Sequence, residues 1–264
     1  MADRAGTGDP ALADVRTKPA RPRAEKRRPS VWWPIAGPAA PIARALARTR
    51  IRDGHKLPAS GPYILAPNHM TNIDPVVVGE AVWRLGRAPR FLAKASLFRV
   101  PLIGAALRAL GQIPVERGGA SRGAIPLSAA KRLIAEGQGV IVYPEGSLTR
   151  DPDLWPMRGK TGAARLALQL GLPVIPVAHW GAQVLMPVNS TKLRLRPRAR
   201  VELIFGDPVD LSDLGRVADR AALAAATDRI MAAITALLEE LRGETAPAER
   251  WDPTKHGQTE TGLF

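Results

Sequence analysis

The chain contains no cysteine. Disulfides, thiol nucleophiles and cysteine-ligated zinc are therefore excluded together, and the absence fits a reducing compartment. Histidine is scarce, with four residues at positions 55, 69, 179 and 256, and they show no metal-ligand spacing. Acidic residues are outnumbered: 24 Asp and Glu stand against 38 Lys and Arg, a formal net charge of +14. A surface of that sign attracts nucleic acid, anionic lipid or phosphorylated substrates. Long apolar runs are also missing. No stretch reaches the roughly 18 apolar residues of a spanning helix, and residues 1–30 lack the apolar core of a signal peptide.

What is present suffices for a core. Hydrophobic residues make up 45% of the 264 positions, enough for one sizeable α/β domain. Residues 1–30 hold eight Lys and Arg against four Asp and Glu and read as a disordered basic tail. The run "EKRRPSVWW" sets Arg27 and Arg28 beside Trp32 and Trp33. Cations for headgroups and indoles for the boundary are what a membrane interface selects, each basic residue contributing about 1 kcal/mol at an anionic surface. Residues 31–50 are accordingly expected to form a short interfacial helical segment. The competing reading packs these tryptophans on their own domain.

From residue 51 to 243 short apolar runs alternate with helix-like stretches. The expected strands are 62–66, 90–93, 112–115, 139–143, 173–178 and 201–205; the expected helices are 75–86, 97–110, 121–136 and 159–171. Strands apolar on both faces, alternating with helices, imply a mostly parallel central sheet covered on both sides. A last helix carries Ile230, Ile234, Leu237, Leu238 and Leu241 at helical spacing, with Gly243 as its stop. Residues 244–264 read as a loose tail.

The stretch "YILAPNHMTNIDP" (63–75) ends a strand by presenting His69 and Asp74 five residues apart. On a helix that spacing leaves them about 140° apart, and on a strand it places them on opposite faces. A turn is required. Asp74-Pro75 also reads as a helix start, with Asp as N-cap and Pro at the first helical position. The pair then lies past the C-terminal end of a strand, where open parallel sheets bind ligands. An imidazole oriented by a carboxylate can take a proton from a hydroxyl. No Gly-x-Ser-x-Gly elbow and no cysteine accompany it, which leaves the substrate's own hydroxyl as the candidate nucleophile. The plainer alternative is a capping Asp beside a structural His.

Three more segments bear on that choice: "GQIPVER" (111–117), "YPEGSL" (143–148) and "LPVIPVAHWG" (172–181). With "NHMTNID" (68–74) they resemble, in order, the four motifs of the bacterial 1-acyl-sn-glycerol-3-phosphate acyltransferases within the glycerolipid acyltransferase family. The resemblance spans about residues 30–210. Thr71 and Ser147 keep the hydroxyls of the family's serine and threonine. Leu148 stands where the third motif carries arginine, and Arg150 follows two residues later.

The resemblance implies a peripheral or monotopic enzyme at the cytoplasmic face of the membrane. His69 would be the base and Asp74 its orienting carboxylate, acylating the sn-2 hydroxyl of lysophosphatidic acid from acyl-CoA or acyl-carrier protein. Arg117, Glu145, Gly146 and Ser147 would bind the glycerol phosphate, with Lys94 and Arg150 as further candidates. Arginine's planar fork suits phosphate, and Gly146 lets backbone approach the ligand closely. Glu145 is odd beside a phosphate and fits better as an acceptor for a hydroxyl or an arginine. No metal and no resident cofactor is implied. Another lysophospholipid, glycerol 3-phosphate or a glycolipid is the alternative acceptor, and a membrane-binding scaffold is the alternative outside enzymes. His179 reads as a core or loop histidine or as part of a donor cleft.

Two basic stretches are set aside. "RGKT" (158–161) lacks the earlier glycine of a phosphate-binding loop, since Leu154 occupies that position, and no strand precedes it. "KLRLRPRAR" (192–200) has no interleaved aromatic residues to stack bases, so nucleic acid is not expected. Its alternation and Pro197 suit a basic edge strand.

Overall fold

The computed structural model describes residues 34, 41, 47–115, 127–194, 199–216 and 219–259. The basic tail, Arg27, Arg28, Trp32, Trp33 and Arg117 lie outside the described residues. Its strands are β1 (Ala47–Arg52), β2 (Tyr63–Pro67), β3 (Leu92–Lys94), β4 (Ile113–Val115), β5 (Gly139–Ile141), β6 (Val174–Trp180) and β7 (Ala199–Phe205). Its helices are α1 (Asp74–Arg84), α2 (Ile103–Ala109), α3 (Leu127–Ala135), α4 (Gly162–Leu170), α5 (Ala182–Leu185) and α6 (Arg220–Arg242).

Five strands form one sheet in the order β1-β7-β6-β2-β5. β2 runs parallel to β5 and β6, β1 runs parallel to β7, and only the β6–β7 pairing is antiparallel. β3 and β4 form a small parallel sheet that joins β5 through the Phe91–Ile141 bridge. The strands β2, β3, β4, β5 and β6 therefore end at a common edge, the position expected for a ligand site.

Strand alternation explains the layering. Ile64, Ala66, Val140, Val142 and Val174 face one core with Ala163, Ala164 and Ala167 of α4 and Ala226, Ile230 and Ile234 of α6. Tyr63, Leu65, Ile141, Ile175 and Val177 face the other, against Val77, Val78, Ala81 and Val82 of α1. Successive side chains point to opposite faces, so strands apolar at every position must be covered on both. The long helix α6 is apolar and long enough to cross a membrane, yet its stripe of Leu223, Ile230, Ile234 and Leu238 is buried against the sheet. Asp219 caps its start by accepting from Ala222 N at 2.7 Å, and Gly243, at φ 67°, ends it.

Three expectations are corrected. β1 begins at Ala47, so the core domain reaches into the span assigned to the interfacial helix (31–50). Its sequence, ARTRIR, is basic at alternate positions and hides its strand character. Residues 192–194 carry no strand, and β7, which starts at Ala199, lies inside the sheet between β1 and β6 rather than at an edge. The C-terminal segment is not loose over its described part. Ala246 N donates to Glu239 Oε1 at 2.8 Å, Arg158 N donates to Trp251 O at 2.9 Å, and Trp251 stacks on His256 at 3.5 Å between centroids.

Gly139 gives a direct test of how tightly the sheet is built. A Cβ there would stand 2.0 Å from the Tyr63 ring, which is buried opposite it in β2. Gly139→Ala is expected to destabilise the domain by about 3 kcal/mol or more, measured by urea unfolding. An unchanged midpoint would show that the Tyr63 ring can move aside.

Candidate active site

The turn after β2 is shaped by one carboxylate. Asp74 is buried, and its Oδ2 accepts from His69 Nδ1 at 3.0 Å, from Met70 N at 2.6 Å and from Thr71 N at 2.8 Å. Its Oδ1 accepts from the Thr71 hydroxyl. This overturns the N-cap reading: Asp74 is the first residue of α1 and makes no cap bond to that helix. It reaches back over the turn, folding residues 69–71 around itself. Burial pushes the carboxyl upward, but the imidazoles of His179 and His69 and the Thr71 hydroxyl outweigh it and hold it below its ordinary value. The group is an anion at neutral pH.

His69 is clamped on both sides of its peptide. Its N donates to Glu145 Oε1 at 2.9 Å, and its O accepts from Thr149 N at 2.7 Å. Its ring stacks on Tyr143 at 4.0 Å between centroids. With Nδ1 on Asp74, the proton sits on Nδ1 and Nε2 carries the lone pair. The side chain is 16% exposed, so a ligand can reach it while most of the ring stays fixed.

Glu145 is corrected as a phosphate ligand. Glu145 is fully buried, and its second oxygen accepts from Met157 N at 3.0 Å. Burial pushes its pKa to about 8, against smaller opposing contributions from these hydrogen bonds and Thr149. A buried acid tied to two backbone N–H groups positions the His69 peptide and cannot receive an anion. Arg150 is 5% exposed, one residue beyond Thr149, whose N bonds the His69 carbonyl. Gly146 is exposed, at φ 72°; a Cβ there would meet Lys160 Cδ at 2.9 Å. Ser147 is half-buried beside it. Lys94 is exposed at the end of β3, on the same sheet edge as His69. Arg158 pairs with Asp252 at 3.2 Å and serves the C-terminal segment.

His179 and Asn68 form the rear of the site. Asn68 Nδ2 donates to His179 O at 3.1 Å, His179 N donates to Asn68 Oδ1 at 2.9 Å, and His179 Nε2 lies 3.0 Å from Asn68 O. His179 Nε2 is also 3.7 Å from Asp74 Oδ2. Complete burial lowers its pKa, so it is neutral at pH 7. It is a core histidine that ties β6 to the end of β2, not a donor-cleft residue. The clue to this pairing is its place at the end of an apolar parallel strand. A cleft of about 420 Å³ lined by Leu168, Leu172, Val209 and Leu211 belongs to the opposite edge of the sheet and is separate from this site.

The geometry is an Asp-oriented imidazole at a sheet edge, backed by a Glu-Gly-Ser loop. A family model described as Acyltransferase matches residues 48–180, half of the chain. The chain belongs to the acyltransferase family. Relatives include the chloroplastic 1-acyl-sn-glycerol-3-phosphate acyltransferase BAT2 of Brassica napus, 29% identical over 62% of this chain and 47% of that protein. The 1-acyl-sn-glycerol-3-phosphate acyltransferase of Bacillus subtilis is 26% identical over 73% of this chain and 89% of that one. This acyltransferase chain thus spans about half the length of its chloroplastic relatives. The crystal structure of the 1-acyl-sn-glycerophosphate acyltransferase PlsC from Thermotoga maritima superimposes with a TM-score of 0.57 at 20% identity, covering 81% and 82% of the two chains. That likeness shows a shared fold.

Proposed function

We propose that this acyltransferase esterifies the sn-2 hydroxyl of lysophosphatidic acid at a membrane surface, giving phosphatidic acid for phospholipid synthesis. The observation that carries the reading is His69 held by Asp74 with Nε2 left as base. His69 Nε2 takes the hydroxyl proton as the oxygen attacks the thioester carbonyl of acyl-CoA or acyl-carrier protein. The tetrahedral intermediate collapses, the C–S bond breaks, and the leaving thiolate takes the proton back from His69. In this scheme the acyl group passes directly from the thioester to the acceptor hydroxyl. Arg117, Lys94, Arg150, Gly146, Ser147 and Lys160 are the groups proposed to receive the phosphate. The basic segment with Arg27, Arg28, Trp32 and Trp33 is proposed to hold the chain to an anionic membrane on its cytoplasmic face.

A second acceptor class, a different lysophospholipid or glycerol 3-phosphate, is favoured by one departure. Leu148 replaces the third-motif arginine, and Arg150 is buried. The experiment offers a labelled acyl thioester with equimolar lysophosphatidic acid, glycerol 3-phosphate and neutral lysolipids, to the full chain and to His69→Ala. Label in phosphatidic acid, lost in the variant, is the expected result. Label in another product moves the acceptor. Transfer to none overturns the lysophosphatidic acid reading and leaves a glycolipid acceptor or a membrane scaffold.

A further inference from the structure

Between β3 and β4 the chain leaves the sheet edge that carries His69 and makes a projecting hairpin. It consists of a 3-10 helix (Ala95–Arg99), a turn at 100–102 and α2. Core-facing residues are few: Gly104 is the one buried residue of α2, and the 3-10 helix has none. Leu97 and Val100 are 42% exposed, Ile103 is 50% exposed and Leu102 is 86% exposed.

The tip is constructed rather than loose. Ile103 N donates to Pro101 O at 2.7 Å, closing a three-residue turn around Leu102 at φ 63°, ψ −54°. This is the γ-turn with positive φ, which is rare and strained. Gly104 packs so closely that a Cβ would meet Phe98 O at 2.2 Å, and Arg108 Nη1 donates to the same carbonyl at 2.8 Å. Strain persists only where the surroundings enforce it, and here it aims an apolar side chain at solvent.

Charge says what covers the tip. Residues 81–115 hold Arg84, Arg87, Arg90, Lys94, Arg99 and Arg108 and not one Asp or Glu. Lys94, Arg99 and Arg108, which flank or interleave with the four apolar residues along the chain, are exposed. An apolar wedge flanked by cations and free of acidic residues fits an anionic bilayer: acyl chains take the wedge and headgroups take the cations. The position fits as well. Phe91, one residue before β3, stacks on Tyr143 at 6.4 Å between centroids, and Tyr143 stacks on His69.

We infer that the hairpin tip, Leu97, Val100, Leu102 and Ile103, inserts into an anionic lipid surface and brings the His69 edge down onto the bilayer that holds the acceptor. The orientation rests on the lipid-acceptor reading; the insertion does not.

The cysteine-free chain allows a clean test. Leu102→Cys in the full chain, carrying a polarity-sensitive fluorophore, is mixed with vesicles of equimolar phosphatidylcholine and phosphatidylglycerol. Ser212→Cys, exposed at the opposite sheet edge, is the control. The expected result is a blue shift and quenching by nitroxide-labelled acyl chains at position 102 and neither at 212. Leu102→Asp, with an unchanged melting temperature, should weaken vesicle co-sedimentation by about tenfold or more. Its acylation of vesicle-bound acceptor should fall in step, with no fall on a short-chain monomeric acceptor. Three outcomes overturn the inference: an unshifted probe on protein that sediments with vesicles; a probe already shifted without lipid in proportion to protein concentration, which assigns the tip to a second copy; and a lipid-free shift independent of concentration, which assigns it to residues of this chain. Insertion without acyl transfer overturns the lipid-acceptor reading alone, and transfer without insertion overturns the tip alone.

Discussion

His69→Ala loses between about 10²- and 10⁴-fold in turnover with a smaller loss of stability, whereas Asp74→Asn loses both turnover and more of the stability. The difference follows from what each side chain holds. The His69 ring is partly exposed and packs on Tyr143, and its backbone anchors to Glu145 and Thr149 survive the change to alanine. Asp74 has no such independence. Its two oxygens collect the His69 ring, two backbone N–H groups and the Thr71 hydroxyl. An amide can offer only its single carbonyl oxygen. Its NH₂ would face donors, and the loss of one buried charged acceptor costs about 1–3 kcal/mol. The proton on His69 Nδ1 also loses its partner, which frees the ring to turn and present the wrong tautomer. Turnover and urea unfolding of both variants are the check. An Asp74→Asn protein with wild-type stability would mean that the turn is held elsewhere; one with wild-type turnover would remove the orienting role.

The same contrast explains what could be read ahead of the structure. The parallel order was legible because β2, β5 and β6 are apolar at successive positions, a pattern that few other arrangements satisfy. Gly243 was legible as a helix stop because it is a local signal. A turn between His69 and Asp74 was legible from their spacing, and their working as a pair was implied by the resemblance of the four motifs. The direction of the Asp74 carboxylate was not. Asp-Pro at a helix start normally caps the helix, and only the donors at 70 and 71 draw the carboxylate backwards. Glu145 hid for a related reason. In sequence it stands beside Gly146 in a ligand-like loop, while its actual partners, His69 N and Met157 N, are 76 and 12 residues away. β1 was masked by its arginines, and its strand character comes from pairing with β7 at the far end of the chain.

Glu145 yields the second large effect, a stability that depends on pH. Its carboxyl is raised from 4.5 to about 8 by burial. The folded protein therefore keeps this proton over a range where the unfolded chain has released it. Sign follows from linkage: the folded state binds more protons between about pH 4.5 and 8, so this group's contribution falls as pH rises through that window and is constant on either side. Glu145→Gln cannot ionise and lacks the slope. At pH 5 the variant should be the less stable protein, because an amide offers one acceptor to the two N–H groups of His69 and Met157 and sets its NH₂ against the other. By pH 8.5 the wild type should have lost about 2–4 kcal/mol relative to the variant, and the order should narrow or invert. Urea unfolding of both proteins at the two pH values measures this. A stability gap that stays constant from pH 5 to 8.5 would show that Glu145 ionises in the folded state as it does in the unfolded chain. The His69 peptide would then be held by a buried anion rather than a neutral acid.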